Sequence, residues 1–171
     1  MKAIDASPVS GFVGGLRRLR VLIVEDDLVS RKLLAALVSH LGDEALESSH
    51  GLDALEKAEG FRADMVVTGL RTANLTGMEL IGALRRRATV QPYVFVTGYS
   101  DEEGDVSAAL DGGADDWISM PLRQDVVLHR LRIGRRIVQL ELDNRSLLEE
   151  IRRYSAGRLP GTGLRFPGPI H

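Results

Sequence analysis

The sequence predicts an α/β protein built on a doubly wound, five-stranded parallel sheet. Three observations carry that prediction. Strand signals, most of them short apolar and β-branched runs, alternate with segments of helical periodicity, five of each. Each apolar run ends in a polar or glycine-bearing loop. The intervening segments also supply the crossover helices that parallel neighbours need, with one hand. In such a sheet, active groups gather at the carboxyl ends of the strands.

The elements follow in order. Leu19-Arg20-Val21-Leu22-Ile23-Val24 is the first strand, and Leu28, Leu33, Leu34, Leu37, Val38 and Leu41 mark a helix that ends at Gly42. Glu44 to Ser48 is a short edge strand, followed by a small helix from about Leu52 to Ala58. Met65-Val66-Val67 makes the third strand, and Gly77 to Leu84 lies in the third helix. Tyr93-Val94-Phe95-Val96 is the fourth strand, with a helix from Asp101 to Leu110 closed by Gly112-Gly113. Trp117-Ile118-Ser119 is the fifth strand, and a long helix begins near Leu122. Residues 1–18, with Ser7-Pro8 and Gly11, Gly14 and Gly15, read as a flexible leader, and the Gly- and Pro-rich 155–171 as a disordered tail.

Composition narrows the function. The chain has 171 residues, 44% hydrophobic and 27% charged, with a net charge of -2, so no basic excess points to nucleic acid or to an acidic membrane surface. It has no cysteine, which excludes disulfides and thiolate metal sites and makes a reducing cytoplasm the expected setting. The start carries an acid and no apolar run long enough for a signal peptide, and no later segment approaches a membrane span. The histidines, at 40, 50, 129 and 171, show no metal-ligand spacing. The arginines at 130, 132, 135 and 136 suit a solvated helix face as well as a DNA contact, and no helix-turn-helix pattern follows to support the latter.

The strand ends form a constellation: Glu25, Asp26 and Asp27 after the first, Gly69 after the third, Thr97-Gly98 after the fourth, and Met120-Pro121 after the fifth. Adjacent carboxylates repel unless a cation lies between them, which suits an acidic Mg²⁺ pocket; equally, Asp27 suits the N-cap of the following helix.

Taken together, these residues resemble the receiver domain of bacterial two-component response regulators, over roughly residues 19 to 135. Val21-Leu22-Ile23-Val24-Glu25-Asp26-Asp27 is similar to the family's first strand with its acidic pair. Gly69-Leu70-Arg71-Thr72-Ala73-Asn74-Leu75-Thr76-Gly77 matches the phosphoacceptor loop in length, including the closing glycine. Val94-Phe95-Val96-Thr97-Gly98 matches the strand with the switch hydroxyl, and Gly112 to Pro121 matches the last strand, with Trp117 at the aromatic switch position. The resemblance implies the receiver fold, with strand order 2-1-3-4-5.

It also exposes departures. In the family a third-strand aspartate attacks a phosphohistidine or a small phosphodonor, while Mg²⁺ and a lysine neutralise the phosphoryl oxygens. By alignment that aspartate is Gly69, the Met-Pro of its loop is Thr72-Ala73, and the lysine is Met120. Positioning and charge neutralisation supply most phosphoryl-transfer catalysis, so nucleophile and clamp are both missing. Thr68 is no substitute, because adjacent strand residues point to opposite faces, and Asp64 starts the strand at the far end of the sheet. Glu25 and Asp26 remain, a set too small to hold Mg²⁺ other than weakly.

The last helix carries a second pattern. Steps of four and three from Ile133 reach Ile137, Leu140, Asn144, Leu147, Ile151 and Tyr154. β-Branched residues at a, mainly leucine at d, and one Asn at a central a position favour a parallel two-stranded coiled coil with fixed register. Arg136 at g then meets Glu141 at e of the second chain. The competing expectation is an amphipathic helix packed on its own domain. The sequence thus divides into the leader, a receiver-like domain at 19–135, a helical extension at 136–154 and the tail.

The expectation is a non-enzymatic pseudo-receiver, acting through protein partners of a signalling pathway and as a homodimer, with neither nucleic acid nor membrane as partner. The alternative is the regulatory part of a larger signalling enzyme such as a diguanylate cyclase; Pro160-Gly161-Thr162-Gly163-Leu164 is faintly similar to the opening of such domains, without the acidic residue expected before the proline.

Overall fold

A computed structural model describes residues 17–87, 91–99 and 104–155. The elements are β1 (Arg20–Val24), α1 (Leu28–His40), β2 (Glu44–Ser48), α2 (Gly51–Phe61), β3 (Met65–Gly69), α3 (Gly77–Arg87), β4 (Tyr93–Gly98), α4 (Asp105–Asp111), β5 (Asp116–Ser119) and α5 (Gln124–Ser155). The strands form one sheet in the order β2-β1-β3-β4-β5, and every pairing is parallel. This is the five-stranded receiver-type α/β fold that the sequence predicts.

Alternation along the central strands explains why both faces are covered. Val21 and Ile23 of β1 look toward α1 and α5, where they meet Leu34, Val38, Phe95, Val127, Leu131 and Val138. Leu22 and Val24 look the other way, into a second core with Ala54, Val66, Leu80, Ile81, Val96 and Trp117 under α2, α3 and α4. Strands buried on both faces read as continuous apolar runs, which is how Val21 to Val24 appears in the sequence.

Local chemistry sets the helix limits. Asp27 caps α1 by accepting the Ser30 N–H at 2.8 Å. In α2, His50 Nδ1 accepts the Asp53 N–H at 3.3 Å, and Arg62, at φ 50, ends the helix in the left-handed region. Those two ends make α2 longer than the 52–58 read from periodicity. Helix α3 opens on a capping box: the Thr76 hydroxyl accepts the Glu79 N–H at 3.3 Å, while Glu79 Oε2 accepts the Thr76 N–H at 2.9 Å.

Helix α4 runs Asp105–Asp111 with Gly104 as its N-cap, whereas the expected start at Asp101 lies outside the described residues. The last helix is one continuous element from Gln124, and its packing on the domain reaches Val138 and Leu142. A division at residue 135 therefore falls inside that contact. The tail beyond Ser155 and all but the last two leader positions also lie outside the described residues.

Candidate functional site

The carboxyl ends of β1, β3, β4 and β5 meet around a cleft of about 650 Å³ lined by Glu25, Asp26, Asp27, Gly69, Thr97 and Met120, together with Ser30, Leu70, Arg71, Gly98, Tyr99 and Asp105. The predicted site residues of the strand ends therefore come together, with Trp117 immediately behind them. Gly69 is buried and pairs in register with Thr97, its neighbour on β4.

The three acidic residues after β1 do different things. Asp27 is committed to the helix cap, and the Ser30 amide, with smaller help from its hydroxyl, holds the carboxyl below the usual aspartate range. Asp26 is exposed. Glu25 is buried, at 6% exposure, and burial, followed by the hydrogen bond and charge of Asp26, pushes its carboxyl up. Glu25 Oε1 accepts the Asp27 N–H at 3.3 Å, and Oε2 accepts the Thr97 hydroxyl at 3.3 Å. Arg31 fixes the turn beneath them by donating to the carbonyls of Glu25 and Asp26.

The space over Gly69 is occupied. A Cβ at this position would lie 3.2 Å from Glu25 Oε2 and 3.2 Å from the Thr72 methyl, contacts tighter than side chains normally make. Thr72 is held there because its hydroxyl donates to the Leu75 carbonyl at 2.6 Å. Gly77 closes the loop so tightly that a Cβ on it would meet the Gly69 carbonyl. Thr68 is fully buried and donates to the Gly69 carbonyl at 3.1 Å, while Asp64, at the opposite end of β3, accepts the Arg20 N–H at 2.9 Å.

Thr97 and Trp117 are both turned inward, at 2% and 8% exposure. The Trp117 ring lies directly against Gly98, where a Cβ would come within 2.5 Å of it. Leu70 N–H donates to the Thr97 carbonyl and Met120 N–H to the Gly98 carbonyl, each at 2.8 Å, so the Thr97–Gly98 backbone is held from the ends of both neighbouring strands. Among the described residues, Trp117 Nε1 is the buried side-chain nitrogen left without a hydrogen-bond partner. Met120 is half-buried and faces the cleft.

No group of three or more His, Asp or Glu side chains placed to hold a metal occurs among the described residues. Asp27 is spent on a cap and Glu25 on internal hydrogen bonds. Of the three acidic residues after β1, the exposed Asp26 is the one whose carboxylate is not tied to a helix cap or to Thr97. Arg71, Tyr99 and Asp105 also line the cleft, and Arg71 pairs with Asp105 at 3.7 Å. They did not stand out in the sequence, although Arg71 and Tyr99 each follow a strand end by two residues or fewer.

The predicted seam of α5 lies apart from the cleft. Val127, Leu131, Gly134 and Val138 face the core. At about 100° per residue, the stripe of Ile133, Ile137, Leu140, Asn144, Leu147, Ile151 and Tyr154 sits about 140° around the helix from them. Ile133, Leu140, Leu147, Ile151 and Tyr154 are each more than half exposed; Asn144 is exposed and Ile137 half-buried. The helix therefore packs on its own domain with one face and presents the heptad stripe with the other.

An open parallel sheet in this order, with an acidic cleft at its carboxyl edge and a buried Thr–aromatic pair beside it, defines the receiver class of signalling domains. The chain belongs to the response regulator receiver domain family, whose profile matches residues 21–132. Regulator of RpoS from Escherichia coli strain K12 is 33% identical over 113 residues, covering 66% of this chain and 32% of that protein. The chain thus spans about a third of that relative's length. In structure it is similar to the chemotaxis response regulator CheY4 of Vibrio cholerae, with a TM-score of 0.64 and 21% identity, covering 69% of this chain and 99% of that one. A two-component system response regulator/GGDEF domain protein superposes with a TM-score of 0.67 and 24% identity, over 71% of this chain and 51% of that one.

Proposed function

We propose that this chain is a non-catalytic pseudo-receiver, a signalling module that acts by protein–protein interaction and homodimerisation without Asp phosphorylation. The observation that carries the reading is Gly69: the carboxyl end of β3 has no side chain, and Glu25 and Thr72 close the space where one would stand. Met120, at the position aligned with the family's lysine, removes the cation that would neutralise a transferred phosphoryl group. With Glu25 and Asp26 as the remaining carboxylates, Mg²⁺ binds weakly at most. The output then passes through the α4–β5–α5 face and the exposed heptad stripe of α5, which a second copy of the chain covers.

Nucleic acid is not the partner in this reading. Of the arginines at 130, 132, 135 and 136, Arg130 is bound to Asp116 at 3.0 Å and Arg135 to Asp43 at 3.0 Å, which breaks up the basic face they would otherwise form. Among the described residues no helix is long and apolar enough to cross a membrane. The cytoplasm, where a chain without cysteine meets no redox constraint, is the proposed setting.

Incubation with acetyl phosphate and Mg²⁺ followed by intact-mass measurement tests the central statement. The expected result is no added mass. A hydroxylamine-labile gain of one phosphoryl group would overturn it.

A second reading has one observation in its favour: the chain covers only 32% of a curated relative and 51% of the GGDEF-containing structure. On that reading the receiver is the regulatory part of a larger enzyme such as a diguanylate cyclase, with α5 as the connecting helix. Sequencing the gene past codon 171 in all three frames separates the two.

A further inference from the structure

A receiver whose acceptor is a glycine should leave a hole at the carboxyl end of β3, yet the structure closes it from the neighbouring strand. Glu25 reaches across from β1, so that Oε2 stands 3.2 Å from the point a Cβ on Gly69 would occupy. That same oxygen accepts the Thr97 hydroxyl at 3.3 Å, while Oε1 is held by the Asp27 N–H. The carboxylate is therefore oriented at both ends and buried, and it sits above Gly69 facing β4. Thr97 in turn is pinned through its carbonyl by Leu70, and the following residue, Gly98, carries the Trp117 ring.

We propose that Glu25 is a built-in ligand for the switch: standing in the place vacated at Gly69, its carboxylate holds Thr97 inward and so keeps Trp117 packed over Gly98. The setting of the α4–β5–α5 face is then written into the chain and needs no transferred phosphoryl group. A two-state element moves only when something contacts its two states differently. Here the differential contact is an acidic side chain of the same molecule, and a partner protein meets one preset surface. This inference rests on the phosphorylation-independent reading above.

Trp117 is the chain's sole tryptophan, so its fluorescence reports on the switch without a label. The full chain is compared with Glu25→Ala, Thr97→Val and Thr97→Ser by emission maximum and acrylamide quenching, with circular dichroism as the check on folding. Glu25→Ala and Thr97→Val are expected to red-shift the emission and raise the quenching constant. Their combination should add nothing further, because both remove the same contact. Thr97→Ser, which keeps the hydroxyl, should behave as the parent.

Unchanged Trp117 emission and quenching in folded Thr97→Val would overturn the proposal. So would a double variant whose effect is the sum of the single ones. Thr97→Val is nearly isosteric and keeps the test open should Glu25→Ala fail to fold. None of these readouts involves a phosphodonor, so failure here and mass gain with acetyl phosphate are separate outcomes.

Discussion

Glu79 and Asp53 show how single side chains fasten the helices on the α2–α3 side of the sheet. The Thr76 amide, then its hydroxyl, lowers the Glu79 carboxyl below its ordinary value, and Lys57 followed by Ser48 does the same for Asp53. For a carboxyl whose folded-state pKa is depressed, the stabilisation is present above the unfolded pKa and is lost as pH falls through the folded one. Glu79→Ala should therefore lower the melting temperature at pH 7, with the difference from the parent shrinking below about pH 4 as the carboxyl protonates in both states. Melts followed by circular dichroism across that range check it, and a pH-independent difference would contradict the capping role. The capping box is legible from sequence as Thr76-x-x-Glu79, since its partners lie three residues apart. The Glu25–Thr97 hydrogen bond is not, because its partners are 72 residues apart and meet only when β1 and β4 flank β3.

Among the elements, α5 is the one whose two faces have different duties. Its inner face approaches the sheet so closely at Gly134 that a Cβ would lie 2.6 Å from Phe95 Cζ and 2.9 Å from Cε2. Gly134→Ala should cost about 1–3 kcal/mol through overpacking, despite alanine's better helix propensity. Chemical denaturation measures that difference, and a stabilised variant would show that the ring moves aside freely. Arg135 locks the same turn to Asp43, which also accepts the Leu19 N–H at 3.0 Å. The length of the helix and its heptad stripe were both readable, since they repeat at fixed spacing. The inner stripe was harder to separate, because Val127, Leu131 and Val138 look like any other apolar helical positions until the sheet is beneath them.

At the scale of the molecule, a folded domain and an outward stripe of apolar side chains coexist in one chain. A row of exposed apolar side chains on one helix face is the kind of surface that suits a protein partner. The proposed occupant is a second copy, because the a and d positions repeat over about three heptads with Asn144 at a central a position, and in such a pair Arg136 at g would meet Glu141 at e. Light scattering at tens of micromolar should return the mass of a dimer, and Asn144→Leu should change the stability or the mass of that assembly. A monomer whose mass is indifferent to Asn144→Leu would remove the coiled coil.

The sequence by itself determined the strand and helix order, the family, and the residues at the carboxyl edge, because each depends on spacing along the chain or on matching a known pattern. It also placed Gly69 and Met120 at the strand ends where the resemblance leads one to expect an aspartate and a lysine. Tertiary structure decided what fills the resulting space. That a Glu25 oxygen meets the Thr97 hydroxyl depends on which oxygen faces which strand, and only the packed sheet fixes that. It likewise decided that Trp117 rests on Gly98, and that Asn144 faces outward. Contacts between β1 and β4, or between α5 and the sheet, join residues far apart in sequence, and no local periodicity records them.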